Sequence, residues 1–288
     1  MKYLLILVGS FLSFELAAQE KRRILDRVTE MPVSYVTIKV LNSVRGVIGS
    51  AVGEFTIKVE RGDSILFSCA GYTPIIILGN RIESIVYMEP RLIELKTVFI
   101  ESKILSGTLT IGNEKKIAKG DITWGPSPSG SYDEFAQKII LPDSPVNFKI
   151  TKVFIPIKKL NCIGPILLRV YYADSSKNQP GVEILNKLID AANMPIKKNI
   201  LSIDVNTDNL FFYGADSFFV SITWPPEAFY NKCLTGILLS KHSVSQTYSR
   251  TLTINSFKWF PFVGRFKDKN DNHFEPRTYF AIEAGIYR

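Results

Sequence analysis

The hydrophobic pattern between residues 34 and 88 constrains the fold more than any other feature of the chain, because it never takes a helical period. Short β-branched segments recur instead, at residues 34–41, 54–59, 64–69, 73–78 and 85–88, with Gly49, Gly53, Gly62 and Gly71 in the breaks. Strand-length segments at this interval predict an all-β sandwich. Glycine in the breaks suits turns that need positive φ or close backbone approach. The stretch "VGEFTIKVERGDSILFSCAGYTP", residues 52–74, shows the pattern most densely. Phe55 is expected to anchor a strand in the core and Gly62-Asp63 to turn a hairpin. Gly71 is expected to bend the chain before Tyr72 covers the sandwich edge.

The later sequence also alternates. Val153, Ile155 and Ile157 fall on one face of one strand, and Phe218, Val220 and Ile222 on one face of another. "GVEILNKLIDAAN" departs from the pattern, since Leu185, Leu188, Ile189 and Ala192 stand at helical spacing. A short helix or an irregular loop is expected there.

The order "PVSYVTI", a small-residue turn, "GEFTIKV", "RGDSILFS" and "GY" resembles the carboxypeptidase regulatory-like domain, a transthyretin-like β-sandwich. The resemblance covers residues 21–90, and departs from the family where Arg23 stands in place of a common glycine. Residues 91–103, "RLIELKTVFIESK", look like the connector that follows this module in Bacteroidota envelope proteins. Residues 104–288 resemble the C-terminal half of exported Bacteroidota proteins carrying it, on "YDEFAQKIILPDSPVNFKITKVFIPI", "ILLRVYYADSSKNQPGVEILNK" and "YFAIEAGIYR". The resemblance implies two β-sandwiches, the second larger and jelly-roll-like. For the "GVEILNKLIDAAN" segment it implies a connection and a strand.

The chain opens "MKYLLILVGSFLSFELAAQE", with Lys2 as a one-charge n-region, an apolar stretch over residues 3–14, and small residues Ala17 and Ala18. Residues 1–18 read as a signal peptide, because about a dozen apolar residues fall short of the roughly 20 that a membrane span needs. No cysteine follows the apolar stretch, which argues against a lipid anchor, and no later run approaches spanning length. Cleavage would remove one cation and one anion, leaving the formal net charge at +8. The basic residues are scattered, so a solvated surface is expected and no nucleic-acid partner. Cys69, Cys162 and Cys233 show no CxxC spacing. Cys162 with Cys233 is the pair expected if a disulfide forms, since Cys69 alternates with inward apolar residues.

Little points to chemistry. A zinc peptidase needs two histidines and a glutamate about an open position, whereas the chain has only His242 and His273, neither in a His-x-x-Glu spacing. No G-x-S-x-G elbow accompanies either histidine. The acids Asp133, Glu134, Asp204 and Asp208 read as exposed turn residues rather than as a glycosidase pair. In "KDKNDNHFEP", Asp268, Asn270 and Asn272 alternate as in a calcium loop, but His273 occupies the glycine position, so a polar hairpin loop is expected. "TWGPSPSGSY" puts Trp124 and Tyr132 on a loop, where they either stack a sugar or cap the core. Trp224 and Trp259 are expected to be core caps.

The expectation is an exported, non-enzymatic binding or assembly protein of the periplasm or cell surface. Its partner would be an envelope protein or a glycan, and it would need no cofactor or metal. The alternatives are a carbohydrate-binding protein using Trp124 and Tyr132, and an unrecognised hydrolase.

Overall fold

The computed structural model describes residues 21–91, 105–112, 122–125, 133–160, 162–214, 216–230, 235–240, 245–251, 257–262, 266–267, 273–275 and 277–287. The expected signal peptide, most of the connector, Tyr132, Cys233, His242 and the asparagine-rich loop lie outside the described residues. The fold is all-β. Among the described residues the only α-helix is the five-residue Pro226–Tyr230.

Seven strands come from the N-terminal part: β1 (Arg22–Asp26), β2 (Thr37–Val40), β3 (Gly46–Ile48), β4 (Glu54–Phe55), β5 (Ser64–Ser68), β6 (Ile75–Leu78) and β7 (Ile85–Met88). They form a three-stranded sheet, β4-β1-β7, and a four-stranded sheet, β3-β2-β5-β6. Between the sheets lies an apolar cluster that includes Ile24, Ile38, Phe55, Ile65, Phe67 and Met88. Phe55 is 4% exposed and meets Phe67 edge-on, with ring centroids 5.6 Å apart. Gly71 adopts φ +81, and Tyr72 donates its hydroxyl hydrogen to Asp26 Oδ2 at 3.0 Å.

The expected hairpin across Gly62-Asp63 does not form, because β4 pairs with β1 while β5 pairs with β2 and β6. Asp63 decides this. Its carboxylate accepts two hydrogen bonds from Arg45 Nη2, at 2.8 and 2.9 Å, and a third from the Glu60 amide at 2.7 Å. The Asp63 amide donates back to Glu60 O at 3.0 Å. The closed turn passes the chain from one sheet to the other. Gly62 has open space around its Cα and no positive φ, so the turn makes no steric demand for glycine there.

The remaining strands are β8 (Leu105–Gly112), β9 (Ile122–Trp124), β10 (Asp133–Ile140), β11 (Asn147–Lys159), β12 (Ile166–Asp174), β13 (Gln179–Ile189), β14 (Ile196–Lys197), β15 (Ile200–Asp204), β16 (Phe211–Tyr213), β17 (Ser217–Thr223), β18 (Thr235–Leu239), β19 (Thr247–Thr251), β20 (Phe260–Pro261), β21 (Phe266–Lys267), β22 (His273–Phe274) and β23 (Ala281–Tyr287). A six-stranded sheet runs β13-β12-β17-β10-β19-β20. An eight-stranded sheet centres on β11, which pairs with β15, β16, β18 and β23. The main apolar cluster draws on both sheets. Val153, Ile155 and Ile157 enter it from β11, and Phe218, Val220 and Ile222 from β17, as their alternation predicts.

The segment expected to be a helix or loop is instead most of β13, antiparallel to β12 along its length and followed by a 3-10 turn at Ala191–Asn193. Leu185 and Ile189 stand four apart, which places them on the same side of a strand as well as of a helix. The adjacent β12 edge resolves the ambiguity.

Candidate functional site

The central strands of the six-stranded sheet are buried on both faces. On β17 every residue from Phe218 to Thr223 is buried, including the neighbours Phe218 and Phe219, which point to opposite sides. Phe218 joins the main core, while Phe219 joins a small separate cluster with Ala136 and Tyr171. This second face also carries charge. Alternation along β10, β12 and β19 places Glu134, Arg169, Tyr171 and Arg250 on it, beside Ser221 of β17, and all five are buried.

Glu134, expected to be an exposed turn acid, is 0% exposed and stands second in β10. Arg250 donates to its Oε2 from Nε at 2.8 Å and from Nη2 at 2.6 Å. Ser221 and Tyr171 donate their hydroxyl hydrogens to Oε1 at 2.6 and 2.7 Å. Arg169 Nη1 lies 3.6 Å from both Glu134 Oε2 and Glu183 Oε2, bridging the two acids. A buried carboxylate survives only when paired and hydrogen-bonded in this way. Burial alone pushes the Glu134 carboxyl up, but Arg250 and Arg169, with the hydrogen bonds from Ser221 and Tyr171, hold it below the usual carboxylate range.

Glu183 on β13 differs. Burial pushes its carboxyl up more than Arg169 draws it down, and the Glu134 charge adds to the rise. Tyr171 has one hydroxyl proton, committed to Glu134, so Glu183 Oε2 at 3.3 Å faces an oxygen whose hydrogen points elsewhere. The other oxygen of Glu183 accepts from the Ala70 amide of the N-terminal part at 3.1 Å.

The network therefore reaches across to the N-terminal sheets. Arg169 donates to Thr37 Oγ1 at 3.2 Å and to Tyr35 O at 3.1 Å, and Asn186 also donates to Tyr35 O at 3.1 Å. Cys69 is a free, half-buried thiol against Asn186, and burial pushes it up to about 12. The backbones also meet where Phe257 donates its amide hydrogen to Val44 O at 2.6 Å. The Phe257 ring lies so close to Gly46 that a Cβ there would stand 2.5 Å from it, which is why β3 begins with glycine.

Beside this junction opens a cleft of about 1600 Å³. One wall is the β2–β5 surface of the N-terminal part, with Thr37, Lys39 and Ser68. The opposite wall comes from β12, β13, β16 and the segment around Trp259, with Tyr172, Lys177 and Tyr213. Tyr171, Glu183 and Arg250 reach the cleft, whereas Glu134 does not line it. Arg250 is held against the Trp259 ring, 4.5 Å from its centroid, and against Phe257 at 4.8 Å.

Of the two aromatic residues weighed as a sugar platform, Tyr132 lies outside the described residues and only Trp124 is described. Trp124 belongs to β9, packs on the main core edge-on to Phe135 and Phe262, and donates its Nε1 hydrogen to Asp133 Oδ2 at 3.1 Å. Its ring is partly buried as a core contact. Trp224 is fully buried and donates to Thr235 O at 2.6 Å. Trp259, expected to be a core cap, packs on the small outer cluster edge-on to Tyr171, and its other side lines the cleft. Cys162 is disulfide-bonded. Among the described residues no three His, Cys, Asp or Glu side chains group as a metal site, and no helix is long and apolar enough to cross a membrane.

Sequence reasoning missed Glu134, Arg169, Tyr171, Glu183 and Arg250 as a group. The available signal was "YDEFAQKI", in which an acid alternates with Ala136 opposite inward-facing Phe135. That pattern marks a second packed face.

No family model matches the chain, and no curated protein matches it. Among solved structures, it is similar to the infectious bursal disease virus VP2 subviral particle at 9% identity and a TM-score of 0.22, covering 93% of this chain and 63% of that one. It is similar to the T13 particle of the same virus at 9% identity and a TM-score of 0.21, covering 93% and 61%. The chain thus spans about three fifths of the length of these capsid chains.

Proposed function

We propose that the protein is an exported, non-enzymatic binding or assembly protein of the bacterial envelope, and that its ligand sits in the cleft between the N-terminal sheets and the second face of the six-stranded sheet. The observation that carries this reading is the saturation of Glu134. Four donor groups occupy its two oxygens, and it stands behind Tyr171 and Arg250 rather than in the cleft. Hydrolysis by two carboxylates requires both acids to face the scissile bond. Of the network's two acids only Glu183 lines the cleft, and the cleft's other acid, Asp216, accepts from the Tyr213 amide, which favours a structural role for the network as the fixed floor of a binding site.

The reading treats the N-terminal part as a β-sandwich of the carboxypeptidase regulatory-like type, supported by its seven short strands in two sheets around one apolar cluster. It treats the rest as a second, jelly-roll-like sandwich. Export rests on the leader-like residues 1–18, and N-terminal sequencing of protein recovered from the cell envelope tests it.

The cleft is tested by filling it. Ser68→Trp and Ser217→Trp place bulk on its two walls. Against a panel of peptides, neutral glycans and acidic glycans, the wild-type chain should retain a ligand that both variants lose without a fall in melting temperature. Retention unchanged in both variants would overturn the cleft reading, and release of cleaved product would overturn the non-enzymatic one.

A further inference from the structure

The cleft has an asymmetric charge pattern that the buried network does not consume. Lys39 projects from β2 into the cleft and is half-buried. Burial and the nearby charges of Arg250, Lys177 and Lys258 all disfavour its ammonium form. Arg250 is neutralised by Glu134. Among the described residues Lys177 pairs only with Asp174, at 3.9 Å, on an exposed turn. Among the described residues no carboxylate pairs with Lys39 or Lys258. Lys39, Lys177 and Lys258 line the same cleft, Lys39 half-buried and the other two exposed, and an anion entering beside Lys39 would relieve the repulsion it meets there.

Two further features restrict the anion. Tyr172 and Tyr213 line the same cleft, 41% and 52% exposed, and offer ring surface beside Trp259. Asp216 accepts from the Tyr213 amide at 2.9 Å and places a negative charge near Tyr172, while Glu183 lies at the floor. A DNA backbone brings no hydroxyl along its length to donate to these two acids. Sugar hydroxyls would instead donate to them, and sugar rings would stack on the tyrosines.

We propose that the cleft binds a uronic-acid-bearing oligosaccharide, with a carboxylate over Lys39, Lys177 and Lys258 and sugar rings against Tyr172 and Trp259. This deepens the cleft reading above and rests on it. The recognition is charge-assisted at one end and made of ring stacking and hydroxyl contacts at the other.

The test is calorimetric titration of the full chain with oligogalacturonate, a neutral galacto-oligosaccharide of equal length, and oligothymidylate. Oligogalacturonate should bind, with affinity falling as salt rises, and the neutral sugar should bind at least about tenfold more weakly. Lys39→Glu and Lys258→Glu should each weaken oligogalacturonate on the order of tenfold. Tyr172→Ala should weaken both sugars, and melting temperatures identify any variant that fails to fold. Equal binding of the neutral sugar, lost on filling the cleft, would overturn this inference and leave the cleft reading intact. Tighter binding of oligothymidylate, reversed by the same lysine variants, would overturn it in favour of a nucleic-acid groove. Failure of all three probes to bind would also overturn it.

Discussion

The two faces of the six-stranded sheet are made by the same strands and solve opposite problems. The inner face buries Phe135, Ile139, Val170, Phe218, Val220 and Ile222 against the eight-stranded sheet. There burial is favourable for each side chain on its own, at about 1.5–3 kcal/mol for a large apolar group. The outer face buries Glu134, Arg169, Tyr171 and Arg250. No one of these is stable there alone, so each depends on the others and on the N-terminal part that excludes water. The inner face is tolerant of approximate shape, while the outer face fails when one member is lost.

The sharpest way to break this comparison is Glu134→Ala. It leaves Arg250 and Arg169 buried without their anion and should cost about 3–5 kcal/mol in urea unfolding, as much as emptying a large inner-face site. A loss under about 1 kcal/mol would mean that water reaches the outer face and that the two faces do not differ as described.

Next comes Gly46→Ala, which pushes a methyl group into the Phe257 ring and toward Ile38 O, 2.5 and 2.8 Å away. Overpacking of this kind should cost about 1–3 kcal/mol. Because it acts at the junction, limited proteolysis should show the N-terminal part loosened while the main core stays protected. Uniform protection would argue that the junction is more plastic than the outer face requires.

The pH dependence separates the two acids of the network. Glu134 titrates lower in the folded state than unfolded, so its contribution is present above the ordinary value of 4.5 and is lost as pH falls through its folded value. Glu183 titrates higher, so its ionised form costs stability above its folded value, and that cost disappears as pH falls through that value toward 4.5. Stability should therefore rise on mild acidification from neutral and fall again below the ordinary carboxylate range. Glu183→Gln should remove the rise and keep the fall. A curve that is flat above pH 5 in the wild-type chain would refute the assignment to Glu183.

The smallest expected effect is Lys39→Gln, which should stabilise the chain by about 0.5 kcal/mol by removing a half-buried cation. A loss of stability instead would show that Lys39 has a structural partner. A gain in stability with a loss of acidic-sugar binding is the trade expected of a binding residue.

Much of the architecture is legible along the chain, because strand alternation and glycine-marked breaks act over a few residues. The all-β class, the buried sides of β11 and β17, and the inward place of Phe55 all follow from local pattern. Partner choice does not. The hairpin at Gly62-Asp63 was a reasonable local expectation, overridden by Arg45, 18 residues from Asp63. Likewise "GVEILNKLIDAAN" fits two periods, and β12 decides between them. Glu134 looked like a solvated acid because the groups that make its burial tolerable come from positions 169, 171, 221 and 250, on three other strands. Their proximity is a consequence of sheet order and of the N-terminal part closing over them. Hydrophobic burial is a property each residue carries in its own side chain, so the sequence alone determined which faces are packed. Burial of charge is a property of a set, and only the tertiary structure assembled that set and opened the cleft beside it.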